Sequence, residues 1–371
     1  MFQVEPADVK AMGRLVGRAG QDVEEAKSYL VKNVSLDFSC AEDLWDKVIK
    51  DHESHVSAAE ELLRDLSKIL DASERELDNS AQYYERTDRD AAARQDSLYP
   101  ASQPGSVPRP SGGGGEVREV CDAASRLKPV GGDSGWLQGH QEEMQFAPVQ
   151  KTLGTALDLA SPSTLVNEGL KLAFDIDIFG TAANWLAGDW GSYADCSDAW
   201  RNLGDFCGDV SRNLRAGCRS LAATWQGNAA DAALLYFETL AERLDQAGEA
   251  FHGLEKHYQA VAQTVFGTAE VLKGQLVMVS DIALQVAITA AAAGALTATG
   301  VGAIAGVAGG AVIAARITSM IGHWGKTVAI YEGVLNSVNG LTMSAAGLTA
   351  GVGADIKKFP TPGQSYDSPV A

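Results

Sequence analysis

Two histidines in the stretch DHESH are the side chains best placed for metal chemistry. His52 and His55 lie three residues apart, a spacing that puts both imidazoles on one side of a helix, where they could share a transition-metal ion. The neighbouring Asp51 and Glu53 are charged, which is typical of a helix face in contact with water. We therefore predict that both histidines lie on a solvated face and that the chain has no metal site.

The five cysteines do not form a zinc motif or a disulfide framework, because their number is odd and no Cys-x-x-Cys occurs. Three of them recur every eleven residues on a predicted helix. They face nearly the same side, but about 16 Å of helix rise separates neighbours, which is too far for a shared metal ion. We predict that Cys196, Cys207 and Cys218 are small core residues, and a disulfide from one of them to Cys40 or Cys121 stays open.

Patterns for cofactors and catalysis are weak. Residues 300–305, GVGAIA, fit a loose dinucleotide-binding pattern, but no strand precedes them and no βαβ unit surrounds them. No serine, cysteine or histidine is arranged as a nucleophile with its base. We predict a protein that is not an enzyme, with no catalytic residue and no cofactor.

The charge balance narrows the range of partners. A formal net charge of −18 and a sequence pI near 4.7 argue against nucleic acid, because binding phosphates requires clustered Lys and Arg. The amino terminus, MFQVEPADVKAMG, shows no basic stretch followed by an apolar run, so we expect no signal peptide and either an internal location or a leaderless route of export.

The first 91 residues predict a helical hairpin. Apolar residues near the start alternate at three and four positions, which marks one seam of a helix: Val9, Met12, Val16, Ala19, Val23, Ala26 and Leu30. A second helix steps by sevens through Val56, Leu63, Leu70, Leu77 and Tyr84. The elbow is expected between Asn33 and Ala41. Four prolines and four consecutive glycines then predict a linker over 92–120.

Residues 121–275 predict a second, longer hairpin. Its two helices carry the same three-four spacing at Tyr193, Cys196, Trp200, Leu203, Cys207, Val210, Leu214, Gly217 and Leu221, and at Phe237, Leu240, Leu244, Ala247, Phe251, Leu254, Tyr258, Val261 and Val265. Long helices with a heptad spacing need helices of similar length to pack against, and each of the two hairpins can provide them for the other. The predicted fold class is all-α, an elongated four-helix bundle made of two long hairpins, with an apolar C-terminal helical hairpin.

The region 276–358 is rich in alanine and glycine. From Ile282 to Ala315 there are 34 residues without a charge, enough to span a membrane once or to form a bent hairpin that extends the bundle. Gly302, Gly306 and Gly310 recur every fourth residue, which would let another helix or a membrane segment pack closely. A further helix is predicted over 317–338, and the tail 359–371 is predicted to be disordered.

Two short motifs lie at predicted helix ends. In TWQGN, Gly227 suits a backbone conformation that other residues avoid, and Asn228 suits the cap of the next helix. The indole of Trp225 either plugs the end of the bundle or contributes to a recognition surface. In YERTD, Tyr84 and Asp88 lie one helical turn apart, at the end of the first hairpin and just before the linker.

These motifs resemble those of the WxG superfamily of type VII secretion substrates in actinobacteria, and in particular its paired PE and PPE proteins. In that family one partner carries YxxxD or YxxxE after its hairpin, the other carries WxG at its elbow, and the two form a composite export signal. This chain looks like a fusion of a PE-like half (1–91) and a PPE-like half (121–275). The resemblance implies that Tyr84 and Asp88 act as the export signal, with Trp225 and Gly227 as its elbow partner.

The resemblance also implies a function. We expect a non-enzymatic, leaderless substrate of a type VII system that engages the secretion ATPase and its machinery and is secreted or reaches the cell envelope. After export the expected role is structural, oligomerising or membrane-interacting, through self-assembly into a ring or contact with a phospholipid membrane. The alternative is a carrier or chaperone-like module for a separately encoded toxin.

Overall fold

The computed structural model describes residues 2–36, 43–87, 91, 94, 96–97, 116–131, 181, 185, 190–292, 310–345, 347–360 and 362. Within these residues the protein is all-α, with one short 3-10 helix and one isolated bridge between Gln3 and Gln226. The long helices pack as hairpins.

The first hairpin consists of α1, Pro6–Asn33, and α2, Asp43–Arg86. Pro6 opens α1, where its fixed φ angle and missing N–H carry no penalty. All seven residues of the predicted α1 seam are buried, which confirms that part of the prediction.

The second hairpin consists of α3, Trp190–Thr224, and α4, Asn228–Ala292. The predicted seams of both helices are buried at every position, and Cys196, Cys207 and Cys218 are core residues as predicted. The hairpins meet where α1 packs on α3. Gly217 allows a close approach there, because a Cβ atom at this position would lie 2.7 Å from Met12 Sδ.

Helix α4 continues well beyond the predicted end of the second hairpin. The boundary expected between 275 and 276 falls inside this 65-residue helix. The buried seam simply carries on, with Leu276, Val279 and Ala283 packed around Met320 of the next helix. That helix, α5, spans Gly310–Ala345 and packs along α4. The short α6, Leu348–Lys357, then lies against both α2 and α4.

Half of the uncharged segment, residues 293–309 with Gly302 and Gly306, lies outside the described residues. Its two ends are helical: 282–292 closes α4, and Gly310, which is buried, opens α5. Among the described helices, none combines the length and the apolar character needed to cross a membrane. Within the tail, Phe359 is buried and its ring lies 5.0 Å from that of Tyr236, while residue 361 and residues 363–371 lie outside the described residues.

The segment 116–131 lies across α1 and α3 and contains the 3-10 helix Ala124–Arg126. Asn213 of α3 holds its backbone by accepting from the N–H groups of Val120 and Cys121 at 2.9 and 2.8 Å. Arg126 pairs with the buried Asp209 at 2.6 Å. The described end of the predicted linker therefore packs on the two hairpins.

Candidate functional site

The break between α3 and α4 consists of three residues, Trp225, Gln226 and Gly227. Gly227 has φ +134°, a conformation that side-chain-bearing residues rarely adopt, which confirms the role predicted for this glycine. The turn returns the chain at once to helix, and Asp231 lies in the first turn of α4, where the helix dipole favours a negative charge.

An aspartate outside the motif binds the start of α4. The Asp96 carboxylate accepts hydrogen bonds from the N–H groups of Asn228 at 3.1 Å and Ala229 at 3.0 Å. These are two of the amides that a helix leaves without an internal acceptor. A Cβ atom on Gly227 would lie 2.7 Å from Asp96 Oδ2, so the glycine also makes room for this carboxylate. The sequence does not single out Asp96, which falls in the predicted linker and acts 132 residues away from its partner.

The two predicted motifs meet at this elbow. The ring of Tyr84, near the end of α2, lies 6.0 Å from the ring of Trp225 in an edge-to-face arrangement with an interplanar angle of 71°. This is one of the two preferred geometries of an aromatic pair and adds about 0.5–1.5 kcal/mol to the gain from burial. The contact joins the first hairpin to the elbow of the second.

The amino-terminal segment covers the same elbow. Gln226 N donates to Gln3 O at 2.7 Å, Gln3 N donates to Gln226 O at 3.1 Å, and Glu5 N donates to Thr224 O at 3.0 Å. The ring of Phe2 lies 6.1 Å from that of Tyr84. The chain's first residues, the end of α2 and the elbow thus form one surface, which we call the elbow surface.

Burial separates the roles of the two aromatic residues. Trp225 is only 1% exposed, so its indole fills the end of the molecule and has little surface of its own for a partner. Tyr84 is half-buried, and Glu85 and Arg86 beside it are exposed. The side of the elbow surface that a partner can touch is therefore formed by Tyr84 and its neighbours, with Trp225 supporting them from inside. Asp88 lies outside the described residues.

The prediction of a solvated face at His52 and His55 is wrong. Both imidazoles are buried, because α4 covers this side of α2, and His52 Nδ1 lies 2.8 Å from the Tyr258 hydroxyl. Burial lowers the pKa of His52 to about 4, so its ring stays neutral at pH 7. The two charged neighbours on which the prediction of a solvated face depended differ in position. Glu53 is exposed, whereas Asp51 faces α4.

Comparisons with protein families, with curated proteins and with solved structures return no match. The functional argument therefore rests on the geometry of the elbow surface.

Proposed function

We propose that the chain is a helical substrate of an actinobacterial type VII secretion system, exported without a cleaved leader. The observation that carries the proposal is the contact between Tyr84 and Trp225. A tyrosine motif and a tryptophan-glycine motif, 141 residues apart, belong to separate hairpins and come together at one end of the molecule. A composite export signal of the PE and PPE kind requires such a meeting.

The proposal includes an elongated four-helix bundle built from α1 to α4. The contact of Gly217 with Met12 supports it on the side of α1 and α3. On the side of α2 and α4, the hydroxyl groups of Ser73 and Tyr236 lie 3.3 Å apart. Such a bundle presents the elbow surface at its tip, where a large machine has access from outside.

Docking on the secretion ATPase is the proposed mechanism. The exposed edge of Tyr84 supplies an aromatic anchor, and aromatic residues in such positions often dominate the binding energy of an interface. Trp225 and the N-terminal segment fix the position of that ring, so little freedom is lost on binding. Glu85 and Arg86 add charge beside the anchor and would favour one orientation of the partner.

Export of Tyr84→Ala from an actinobacterial host with a type VII system tests the proposal. We expect the amount of protein in the medium to fall about tenfold or more, as when an interface loses an aromatic anchor. Phe266→Ala is the matched control, since Phe266 is a half-buried aromatic residue of α4 that lies 38 residues beyond the start of that helix at the elbow. Thermal unfolding of the purified variants shows whether each one is folded.

A folded Tyr84→Ala protein that reaches the medium at the normal level would overturn the proposal. Arg86→Glu supplies a second test, because it reverses one exposed charge at the same surface without touching the core. We expect it to reduce export by a smaller factor.

After export we propose self-association through α4 and α5. Val277, Leu284 and Ile288 are exposed although apolar, and their spacing of seven and four residues puts them on one face of α4. Val312, Ile321 and Met343 of α5 are exposed as well. Sedimentation of the purified chain, with and without neutral or anionic liposomes, distinguishes assembly between copies from contact with a membrane. A chain that stays monomeric and binds neither kind of liposome would contradict this part of the proposal.

A further inference from the structure

A cluster of two imidazoles and one carboxylate lies far from the elbow surface. Asp51 and His55 are four residues apart on α2, so their side chains project from the same face of that helix. His257 reaches them from α4. His55 precedes Tyr84 by 29 residues of continuous helix, which places this cluster about 44 Å from the elbow surface.

The distances within the cluster suit a metal ion. Asp51 Oδ1 lies 3.3 Å from His55 Nε2, and Asp51 Oδ2 lies 3.0 Å from His257 Nε2. One ligand atom from each residue can be chosen so that all three lie within 4.8 Å of one another. In a tetrahedral zinc site with bonds of about 2.0–2.1 Å, ligand atoms are separated by about 3.4 Å. Small side-chain rotations would bring the nitrogens of the two rings to that separation.

The hydrogen bonding of the cluster is incomplete. His55 and His257 are only 2% and 6% exposed. Among the described residues, neither His55 Nε2 nor His257 Nδ1 has a hydrogen-bond partner, since the approach of Asp51 to His55 lacks the geometry of a hydrogen bond. Buried polar atoms in this state destabilise a fold, and a bound ion can satisfy them. An ion that binds His55 Nε2 and His257 Nδ1 would satisfy both atoms, and His257 Nε2 could keep its hydrogen bond to Asp51.

The charge of the cluster also suits a cation. A carboxylate supplies negative charge and two acceptor oxygens, and Asp51 directs one oxygen toward each imidazole. One carboxylate and two imidazoles in their metal-binding form offset half of the charge of a divalent ion and supply the oxygen and nitrogen ligands that zinc accepts.

We propose that Asp51, His55 and His257 bind a divalent transition-metal ion, with Zn²⁺ as the preferred occupant, and that this ion links α2 to α4. Three protein ligands leave the fourth position of a tetrahedral site to water. Mg²⁺ and Ca²⁺ are disfavoured, because they take oxygen ligands rather than imidazole. The surroundings would hold the site in shape, since Tyr258, next to His257, stacks on Tyr193 at 4.5 Å.

Zinc titration of the full-length chain, freed of metal with EDTA, tests this proposal at pH 7. We expect one Zn²⁺ per chain by calorimetry and by metal analysis, together with a rise in the melting temperature. Mg²⁺ and Ca²⁺ should produce neither effect. Co²⁺ should give the visible absorption of a tetrahedral site with nitrogen and oxygen ligands.

Asp51→Asn and His257→Gln should each weaken zinc binding by about a hundredfold or more, since even groups that only orient metal ligands contribute 10–100-fold. His323→Gln is the control, because His323 lies on α5 outside the cluster, where its Nδ1 is hydrogen-bonded to Gln275 Oε1 at 3.2 Å. If one variant fails to fold, the other still tests the proposal. Asp51→Asn is the safer of the two, because the asparagine side chain has nearly the same size and shape as the aspartate side chain. A wild-type chain that binds no stoichiometric zinc would overturn the proposal, as would folded variants that bind it with unchanged affinity.

Discussion

The two ends of the paired hairpins are built in different ways. At the elbow surface the contacts are aromatic rings and backbone hydrogen bonds, arranged around a glycine with a positive φ angle. At the other end, α2 and α4 meet through a carboxylate and three imidazoles. The first arrangement owes its stability to burial and chain geometry, whereas the second depends on contacts between buried polar side chains and is the one to which we assign a metal ion.

This difference bears on function. A surface that depends on burial and backbone hydrogen bonds responds less to pH and ionic strength than a charged one does, which suits a docking site for export. A buried polar cluster is stable only if its partners are satisfied, so it is the end whose stability a ligand can alter. Variants at the two ends, and one between them, test whether this separation holds.

We expect the largest loss of stability from Trp225→Ala. The indole is almost fully buried at the elbow, and truncation of such a side chain costs about 3–5 kcal/mol in the free energy of unfolding. Urea unfolding followed by circular dichroism measures the change. Trp225→Phe, which keeps an aromatic ring against Tyr84, should lose less than half as much. A loss below about 1 kcal/mol for the alanine variant would show that the elbow does not depend on burial.

A smaller loss is expected for Gly227→Ala. The alanine must adopt a φ angle of +134° and its Cβ would meet the Asp96 carboxylate, which together cost about 1–3 kcal/mol. Gly208→Ala in α3 is the matched control, since a Cβ there meets nothing within 4 Å. Alanine at that helical position should raise the free energy of unfolding by about 0.5–1 kcal/mol. Equal effects of the two substitutions would contradict the role assigned to the turn.

The smallest effect is a gain in stability from Asp22→Asn. Burial, together with the charges of Glu119 and Glu25, raises the pKa of Asp22 from 3.8 to about 6. Because this native pKa lies above the ordinary value, ionisation costs more in the folded chain than in the unfolded one. The gain should be absent below about pH 4, grow between about pH 4 and 6, and be complete above about pH 6.

Asp22 is partly exposed, so solvent screening limits the expected gain at pH 7 to about 1 kcal/mol. Urea unfolding at pH 7 and pH 4.5 checks it, with Asp281→Asn as an exposed control. A gain of the same size at both pH values would mean that the substitution acts through packing. A gain that is larger at pH 7 than at pH 4.5 would show that the ionised Asp22 carboxylate itself destabilises the fold.

The helices and their buried faces are the part of the fold that sequence reasoning predicted best. The seam residues of α1, α3 and α4 are buried as predicted. A three-four spacing of apolar residues matches the 3.6-residue period of a helix, so a few neighbouring residues are enough to show which face is apolar. The length of α4 was not predicted. The expected boundary at residue 275 rested on a change in apolar content. No glycine or proline signal there is strong enough to end a helix, so α4 continues.

The candidate sites were predicted unequally for the same reason. Tyr84, Trp225 and Gly227 belong to short motifs at helix ends, so each could be recognised from its neighbours in sequence. The role of Asp96 depends on a helix start 132 residues away and carries no local signal. The prediction for His52 and His55 failed because the charged residues next to them indicate only that one side of α2 is exposed to solvent. The other side is covered by α4, which the local sequence does not show.

Local sequence is enough to set which segments are helical, which face of each is apolar, and where a glycine must turn the chain. These properties arise from residues within a turn or two of each other, and backbone geometry over that range decides them. The packing of the hairpins, in contrast, brings Tyr84 to Trp225, Asp96 to the start of α4, and Asp51, His55 and His257 into one cluster. Each of these contacts joins parts of the chain that are far apart in sequence, so it depends on the register between packed helices, which no single segment encodes.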